Sequence, residues 1–206
     1  MAYFPFFVDL EGADGLIVGG GTVAFRKVEK LLPYAPRLTV VAPDMLPELE
    51  AIPGLTLCRR TVSPEDVAGR AFVIAAADDR QVNHQISRLC REQHIPVNVV
   101  DDKEESSFLF PCLIKRGNLS VGISTSGDSP SAAIYFKEQF GALIPDHLSE
   151  ILDYLAHERQ VVKETVPQLA RREAMMKALF AACMERGRPL TGEERAQIVQ
   201  EQEAAV

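Results

Sequence analysis

The sequence predicts an α/β fold: a parallel sheet with helices on both faces, then a β-hairpin, then a helical carboxyl-terminal region. Three observations support this prediction. Apolar, β-branched segments alternate with helical patterns over residues 1–112, two strand-like segments surround a turn signal within residues 113–145, and residues 146–206 are almost entirely helical in pattern. These three ranges are the predicted domains.

The first range contains at least five strand-like segments. GLIVGG is followed by a helix predicted from about Thr22 to Leu32, and the later strands are LTVVA, LTLCRRT, AFVIAAA and IPVNVV. The segments PDMLPELEAI and RQVNHQISRLCREQ, which lie between strands, have helical patterns. Apolar strands that alternate with helices are typical of a parallel sheet buried on both faces.

A different pattern begins after the fifth strand. FLFPCLIKRGNLSVGIST predicts two strands around the turn Arg116-Gly117-Asn118, which indicates a hairpin. Ser129 and Pro130 are typical of a helix start, and Thr191 followed by Glu194 predicts a capping box. The second half is therefore expected to hold one hairpin and several helices.

Composition narrows the classes of function. The 206 residues are 47% hydrophobic and 25% charged, with a net charge of -7 and no basic stripe, which argues against nucleic acid as a partner. We expect a cytoplasmic protein without membrane contact, because there is no signal peptide and no apolar run of about 20 residues. Cysteines and histidines lack metal-ligand spacing, so we expect no resident metal site and reduced, buried thiols.

The segment GGGTVA matches the pattern G-x-G-x-x-A directly after a strand and directly before a helix. The first and second motif glycines allow a tight turn and the close approach of a pyrophosphate, and the alanine lets the helix pack closely on the strand. The helix amino terminus adds free N–H groups. The alternative is a glycine turn that only connects two elements. The predicted cofactor-binding residues are Gly19, Gly20, Gly21, Thr22, Val23 and Ala24.

Charged residues near this turn refine the prediction. Arg26 and Lys27 lie early in the helix, where the helix dipole disfavours cations, so either they face an anionic ligand or they are solvated surface charges. Asp44 follows the second strand, where a carboxylate can bind the ribose hydroxyls and favour NAD over NADP; it could equally cap the next helix.

Polar residues also follow the later strands. Asp101 and Asp102 come just after the fifth strand, at the edge where open α/β sheets bind ligands, and their alternative role is that of solvated loop charges. Asn83 and Asn98 could bind a ligand or satisfy buried backbone groups. The hydroxyl-rich loop STSGDSPS could hold a carboxylate or phosphate, or simply cap its helix.

Several of these motifs, taken in order, resemble one family. GLIVGGGTVAFRK, AAADDRQVN, VNVVDD and SSFLFPCLIKRGNLSVGISTSGDSP, followed by a helical tail, are similar to the precorrin-2 dehydrogenase and sirohydrochlorin ferrochelatase family, which includes the amino-terminal module of siroheme synthase and its stand-alone relatives. The resemblance covers essentially the whole chain. It implies a Rossmann-type domain over residues 1–112, a dimerisation and substrate-contacting segment over 113–145, and a homodimer.

The resemblance also implies an activity. Family members oxidise precorrin-2 to sirohydrochlorin with NAD in siroheme biosynthesis, and bifunctional members then insert Fe²⁺, which is a substrate. Asp101 matches the aspartate of the family's NVVD motif and is implied to be catalytic. Precorrin-2 carries many carboxylates, so a cationic, donor-rich cleft is expected. The predicted substrate-binding residues are Arg26, Lys27, Asn83, Asn98, Ser124, Thr125, Ser126 and Ser129.

The resemblance has departures, and alternative functions stay open. Ala77 stands where family members often carry threonine, and we expect the methyltransferase domain of the fused siroheme synthases to be absent. The sequence does not separate a dehydrogenase from a dehydrogenase that is also a ferrochelatase. A non-catalytic NAD-sensing regulatory protein and a different small-molecule dehydrogenase are the alternatives.

Overall fold

A computed structural model describes residues 3–204, apart from the Glu203 side chain. The chain divides into two compact units, Met1–Phe110 and Pro111–Val206. The first unit ends near residue 112, where the predicted Rossmann-type domain ends. The second unit includes both the hairpin and the helices, which were predicted as separate domains over 113–145 and 146–206.

The first unit is built on a five-stranded parallel sheet with the order β3-β2-β1-β4-β5. Its strands are β1 (Asp14–Val18), β2 (Arg37–Val41), β3 (Thr56–Cys58), β4 (Phe72–Ala75) and β5 (Val97–Val99). Its helices are α1 (Thr22–Leu31), α2 (Pro47–Glu50), α3 (Pro64–Val67) and α4 (Arg80–Glu92), and a 3₁₀ turn covers Leu32–Tyr34. The strand order reverses direction between β1 and β4, which places a ligand crevice at their carboxyl ends.

Alternate side chains of the central strands enter two separate cores. Leu16 and Val18 pack with Ile86 and Cys90 of α4 on one face of the sheet. Ile17, between them, packs on the other face with a cluster that includes Ala24 and Val28 of α1. Both faces are therefore covered by helices, as the apolar strand patterns predicted.

Two short helices differ from the sequence prediction. The pattern over PDMLPELEAI predicted a helix, but α2 covers only Pro47–Glu50. The helix α3 was not predicted, although its start has a recognisable signal. Ser63 and Asp66 form a reciprocal capping box, in which each side chain accepts a hydrogen bond from the other residue's backbone N–H.

The second unit contains the predicted hairpin and four helices. Strands β6 (Cys112–Arg116) and β7 (Leu119–Ile123) pair antiparallel, with Arg116 opposite Leu119. The helices are α5 (Pro130–Ala142), α6 (Leu148–Thr165), α7 (Leu169–Arg186) and α8 (Gly192–Ala204). Ser129 caps α5 through the backbone N–H of Ala132, as predicted.

The helices α6 to α8 share one apolar core. Its buried members include Ile151 and Leu155 of α6 and Met175, Leu179 and Cys183 of α7. The predicted capping box starts α8: the Thr191 N–H donates to Glu194 at 2.8 Å and the Glu194 N–H donates to Thr191 Oγ1 at 3.3 Å. No helix among the described residues is long and apolar enough to span a membrane.

Candidate functional site

The glycine turn requires glycine at its first two positions for reasons of packing. Gly19 has a φ of +120°, and a Cβ on it would lie 2.2 Å from the carbonyl oxygen of Ala76. A Cβ on Gly20 would lie 2.1 Å from the carbonyl oxygen of Asp44. The backbone of this turn therefore lies directly against the segments that follow β4 and β2.

The third glycine has a different environment, because it faces open space. A Cβ on Gly21 would meet nothing within 4 Å. Gly21 is also the N-cap of α1, where no side chain caps the helix and no acidic residue lies in the first turn. The free N–H groups of α1 therefore point to an uncovered surface that an anion can approach closely. This geometry fits the pyrophosphate of a dinucleotide, and buried Ala24 packs α1 on the sheet as predicted.

Asp44 lies in the loop after β2 and is exposed. The N-cap of α2 is Leu46, whose side chain makes no capping hydrogen bond. The alternative that Asp44 caps this helix is therefore wrong. The Leu46 N–H donates to the Gly20 carbonyl at 2.9 Å, so the Asp44 loop is fixed beside the glycine turn. This is the position from which a carboxylate can bind ribose hydroxyls.

The two cations of α1 have different surroundings. Arg26 is exposed, whereas Lys27 is half-buried and its Nζ donates to Asn98 Oδ1 of β5 at 3.1 Å. The Lys27 ammonium also lies 3.9 Å from the centre of the Phe110 ring. Burial, with a contribution from the charge of Lys30, lowers the pKa of Lys27 to about 8, and Asp101 opposes both effects. Lys27 therefore links the middle of α1 to β5.

Asp101 and Asp102 are neighbours in sequence but have separate roles in the loop after β5. Asp101 is exposed and has a φ of +58°, in the left-handed region, which aspartate tolerates better than most residues. The Asp102 side chain accepts a hydrogen bond from the Glu105 N–H at 3.1 Å, and its carbonyl accepts one from Ser106 Oγ at 2.7 Å. Asp102 thus holds the loop, and Asp101 is presented at its surface.

Two serines that the sequence analysis did not assign complete this loop. Ser106 is buried and accepts a hydrogen bond from the Val99 N–H at 2.9 Å, and Ser107 accepts one from the Val97 N–H at 2.8 Å. Their hydroxyls take the place of strand partners for β5. The pair of serines five and six residues after Asp101 was the available signal, because serine hydroxyls commonly bind nearby backbone groups.

The two predicted asparagines are both buried and both bond to the protein itself. Asn83 Oδ1 accepts from the Ala77 N–H at 3.0 Å, and Asn83 Nδ2 donates to the Ala77 carbonyl at 2.8 Å. Asn98 accepts from Lys27 and donates to the Phe108 carbonyl at 3.1 Å. The sequence left two roles open for these asparagines, ligand binding and the satisfaction of buried backbone groups. The contacts are of the second kind, and they hold the segments after β4 and β5 in place.

The hydroxyl-rich loop before α5 belongs to the second unit. The Thr125 hydroxyl donates to the Ser129 carbonyl at 3.0 Å and accepts from the Ser129 N–H at 3.1 Å. Ser124 Oγ accepts from the N–H of Ser126, whose φ is +56°. The loop is therefore closed by its own hydroxyls. The four predicted substrate-binding residues of this loop, Ser124, Thr125, Ser126 and Ser129, all lie in the second unit.

Metal ligands are not concentrated in the described part of the chain. Within residues 3–204, no group of three or more His, Cys, Asp or Glu side chains is arranged to hold a metal ion. The four cysteines are free, and burial raises the pKa of Cys90 to about 11.

Comparison with known proteins agrees with this geometry. Residues 6–112 match the family described as "Putative NAD(P)-binding". Siroheme synthase 2 of Aeromonas salmonicida is 35% identical over 183 residues, which cover 88% of this chain and 38% of the relative. A siroheme synthase of Ectopseudomonas mendocina is 35% identical over 198 residues, covering 94% of this chain and 43% of that protein.

A solved structure resembles the chain over its whole length. "SirC, precorrin-2 dehydrogenase" matches with a TM-score of 0.74 and 25% identity, covering 98% of this chain and 100% of that one. The siroheme synthases are longer, and the chain spans less than half of their length. The resemblance predicted from the motifs is confirmed by these relatives, and the match over residues 6–112 shows that the chain belongs to the family described as "Putative NAD(P)-binding".

Proposed function

We propose that the chain is a precorrin-2 dehydrogenase, which oxidises precorrin-2 to sirohydrochlorin with NAD in siroheme biosynthesis. The similarity to SirC over both full chains supports the substrate, and the open amino terminus of α1 at Gly21 supports the nucleotide. The observation that carries the proposal is Asp101, exposed in a left-handed turn just after β5.

Asp101 is proposed to take the proton that leaves the substrate. A bound nicotinamide would supply the hydride acceptor for this oxidation. The Val100 N–H donates to the Ala75 carbonyl at 3.0 Å, so Asp101 follows the last contact between β4 and β5. Its carboxylate lies at the edge of the sheet where the crevice is expected, within electrostatic reach of Lys27.

Cations and hydroxyl donors are proposed to bind the substrate's carboxylates, and each unit has its own candidates. In the first unit these are the exposed Arg26 and the Lys27 ammonium, and Asn83 and Asn98 hold the neighbouring backbone in place. In the second unit the candidates are Ser124, Thr125, Ser126 and Ser129. Cations and hydroxyl donors are the groups that carboxylates bind most strongly.

Two variants of Asp101 separate its charge from its backbone conformation. Asp101→Asn keeps a residue that tolerates the left-handed turn, so we expect it to bind nucleotide normally and to lose at least about 100-fold in kcat. Asp101→Ala adds backbone strain of about 1 kcal/mol to the same chemical loss. Turnover is measured anaerobically with enzymatically generated precorrin-2 and NAD, followed by sirohydrochlorin absorbance. A folded, nucleotide-binding Asp101→Asn protein with full turnover would refute this role.

We further propose that the same carboxylate assists insertion of Fe²⁺ by accepting pyrrole protons. Iron is a substrate in this step, so no resident metal site is needed. Adding ferrous iron to the anaerobic assay tests the step, because siroheme must form faster than in a control without protein. Equal rates would assign the chain to the dehydrogenase branch alone.

The proposed assembly is a homodimer in the cytoplasm. Large apolar side chains are exposed along α5, including Tyr135, Phe136 and Phe140. The rings of Phe136 and Phe140 stack at 5.8 Å between centroids, which makes a continuous aromatic surface. Exposed apolar surface of this kind is typical of protein interfaces, and it lies in the segment to which the family resemblance assigns dimerisation.

A further inference from the structure

Two arginines lie at the edge of the sheet that is expected to contact the ribose. Arg59 and Arg60 directly follow β3, which pairs parallel to β2 with Val41 opposite Cys58. The Ala42 N–H donates to the Cys58 carbonyl at 3.1 Å, so the loop that contains Asp44 leaves the sheet beside these arginines. The two arginines are distant from β2 in the sequence, because β3 begins about 15 residues after β2 ends, but strand pairing brings them to the same edge.

A cation at this edge is what a 2′-phosphate requires. In Rossmann-type domains an acid after the second strand binds the ribose 2′-hydroxyl of NAD, whereas a nearby arginine accommodates the phosphate of NADP. The chain carries both kinds of residue here, Asp44 and the two arginines. The choice of nucleotide therefore depends on whether either arginine can reach a phosphate.

Arg60 is committed to the structure of its own loop. Its guanidinium donates two hydrogen bonds to Asp66, at 2.6 and 2.7 Å, and one to the Thr61 carbonyl at 3.1 Å. Asp66 is nearly buried, and its bond with Arg60 is the main reason that its pKa is lowered to about 2. To recruit Arg60, a phosphate would have to displace a charge-assisted pair of two hydrogen bonds and leave the nearly buried Asp66 carboxylate without that partner.

Arg59 has one carboxylate partner, which lies on the surface. Its guanidinium contacts Glu50, the last residue of α2, and the two side chains are 54% and 40% exposed. The acidic residues of the preceding segment are Asp44, Glu48 and Glu50, and no lysine or arginine lies between Val41 and Arg59. With Glu50 cancelling Arg59, the charge at this edge is net negative.

We propose that Glu50 determines nucleotide choice by occupying Arg59, so that the edge beside the ribose favours NAD(H) and rejects a 2′-phosphate. Repulsion of the competing ligand is a common source of specificity, and here it acts through a cation that is present but neutralised. This inference rests on the nicotinamide-nucleotide site of the proposed function.

Titration of the full-length protein with NADH and with NADPH tests the inference, using the change in nicotinamide fluorescence on binding. The wild type is expected to bind NADH more tightly than NADPH. Glu50→Gln should strengthen NADPH binding by about fivefold, the scale of one exposed charge interaction, and change NADH binding by less than about twofold. The double variant Glu50→Gln/Arg59→Gln should lose this gain.

Glu48→Gln is the matched control, since it removes the same charge from the same short helix without releasing Arg59. It should change NADPH binding by less than about twofold. An equal gain in Glu48→Gln, no gain in Glu50→Gln, a gain that survives loss of Arg59, or a wild type that prefers NADPH would each overturn the inference.

The titration requires no tetrapyrrole, so its failure can be told apart from failure of the proposed function. If NADH binds and Glu50→Gln has no effect, the inference fails and the dehydrogenase proposal stands. If Glu50→Gln behaves as expected but precorrin-2 is not oxidised, the specificity device stands and the proposed substrate is wrong. A wild type that binds neither nucleotide would overturn both.

Discussion

The two units differ in how completely they bury their apolar side chains. In the first unit both faces of the sheet are covered, and its exposed large hydrophobic residues are concentrated in the segment before β1, at Phe4–Val8. In the second unit α5 has a single buried residue, Ala133. Its large apolar side chains are 44% to 77% exposed, namely those of Ile134, Tyr135, Phe136, Phe140 and the adjoining Leu143.

From this difference we infer which role each unit has in the protein. The first unit builds its candidate nucleotide site from groups that its own fold positions, such as Gly19 against Ala76 and Lys27 against Asn98. The second unit retains an apolar surface that its own core does not use. We therefore expect changes in the first unit to act on folding and nucleotide binding, and changes on α5 to act on assembly.

The largest expected effect comes from the glycine turn. Gly19→Ala should destabilise the first unit by about 4 kcal/mol or more, because φ is strongly positive and the new Cβ would overlap backbone atoms. Gly21→Ala should cost less than about 1 kcal/mol, since its Cβ meets open space, but should weaken NADH binding at least about tenfold by blocking the pyrophosphate. Denaturant unfolding and NADH titration measure the two quantities.

Gly19 and Gly21 are only two positions apart, so the two variants compare a packed glycine with an open one in the same turn. Equal stability losses would mean that the turn is not packed as described. Unchanged NADH affinity in Gly21→Ala would mean that the open amino terminus of α1 is not the pyrophosphate site.

A medium effect is expected from the buried carboxylate of the first unit. The pKa of Asp66 is lowered from 3.8 to about 2, chiefly by its hydrogen bonds with Arg60. The associated stability is fully present above pH 3.8 and is lost as pH falls through 2. Asp66→Asn should therefore lower the free energy of unfolding by about 2 kcal/mol at pH 7, with the difference shrinking towards pH 2.

Urea unfolding of wild type and Asp66→Asn at several pH values between 7 and 2 gives this profile. The matched surface pair is Asp14 with Arg37, in which both side chains are largely exposed. Asp14→Asn should change stability much less than Asp66→Asn does, because solvent screens the exposed pair. A pH-independent difference for Asp66→Asn would show that packing, rather than charge, accounts for its loss.

The smallest effect on folding, but the clearest on assembly, is expected on α5. Phe136→Glu should leave helical content unchanged and alter the stability of the isolated chain by about 0.5 kcal/mol or less, because the side chain is 45% exposed. It should convert a dimer to a monomer at micromolar concentration, as measured by light scattering. Glu138→Gln also changes the charge by one unit, on the side of α5 opposite Phe136, and as the control it should leave the dimer intact.

A monomeric wild type would contradict the expectation that the second unit uses its α5 surface for assembly, and that surface would then need another explanation. A dimer that persists in Phe136→Glu would place the interface elsewhere. Either result leaves the nucleotide predictions for the first unit untouched.

Much of the fold could be predicted from local patterns. The glycine turn, the five parallel strands, the hairpin turn at Gly117 and the caps at Ser129 and Thr191 all agree with the structure. Each is specified by residues within a few positions of one another. Helix α2 was predicted over PDMLPELEAI but covers only Pro47–Glu50, because the apolar pattern extends beyond the residues that are helical in the folded protein.

The site could be predicted only in part. The sequence identified Asp101 and Asp102 as a pair, and only the structure separates an exposed carboxylate from one that holds the loop. Asn83 was a candidate ligand contact, and the structure shows both of its amide groups bonded to the Ala77 backbone. Local sequence cannot make these distinctions, because they depend on which polar group each side chain meets.

The class of fold, the glycine turn and the family could be predicted from the sequence, because they depend on short motifs and on hydrophobic periodicity. Only the tertiary structure shows that Lys27 meets Asn98, 71 positions away, and that Arg59 follows β3 beside the end of β2. Both of these arrangements follow from the strand order β3-β2-β1-β4-β5. Strand order is fixed by the packing of the whole sheet, so residues far apart in the chain become neighbours that no local pattern records.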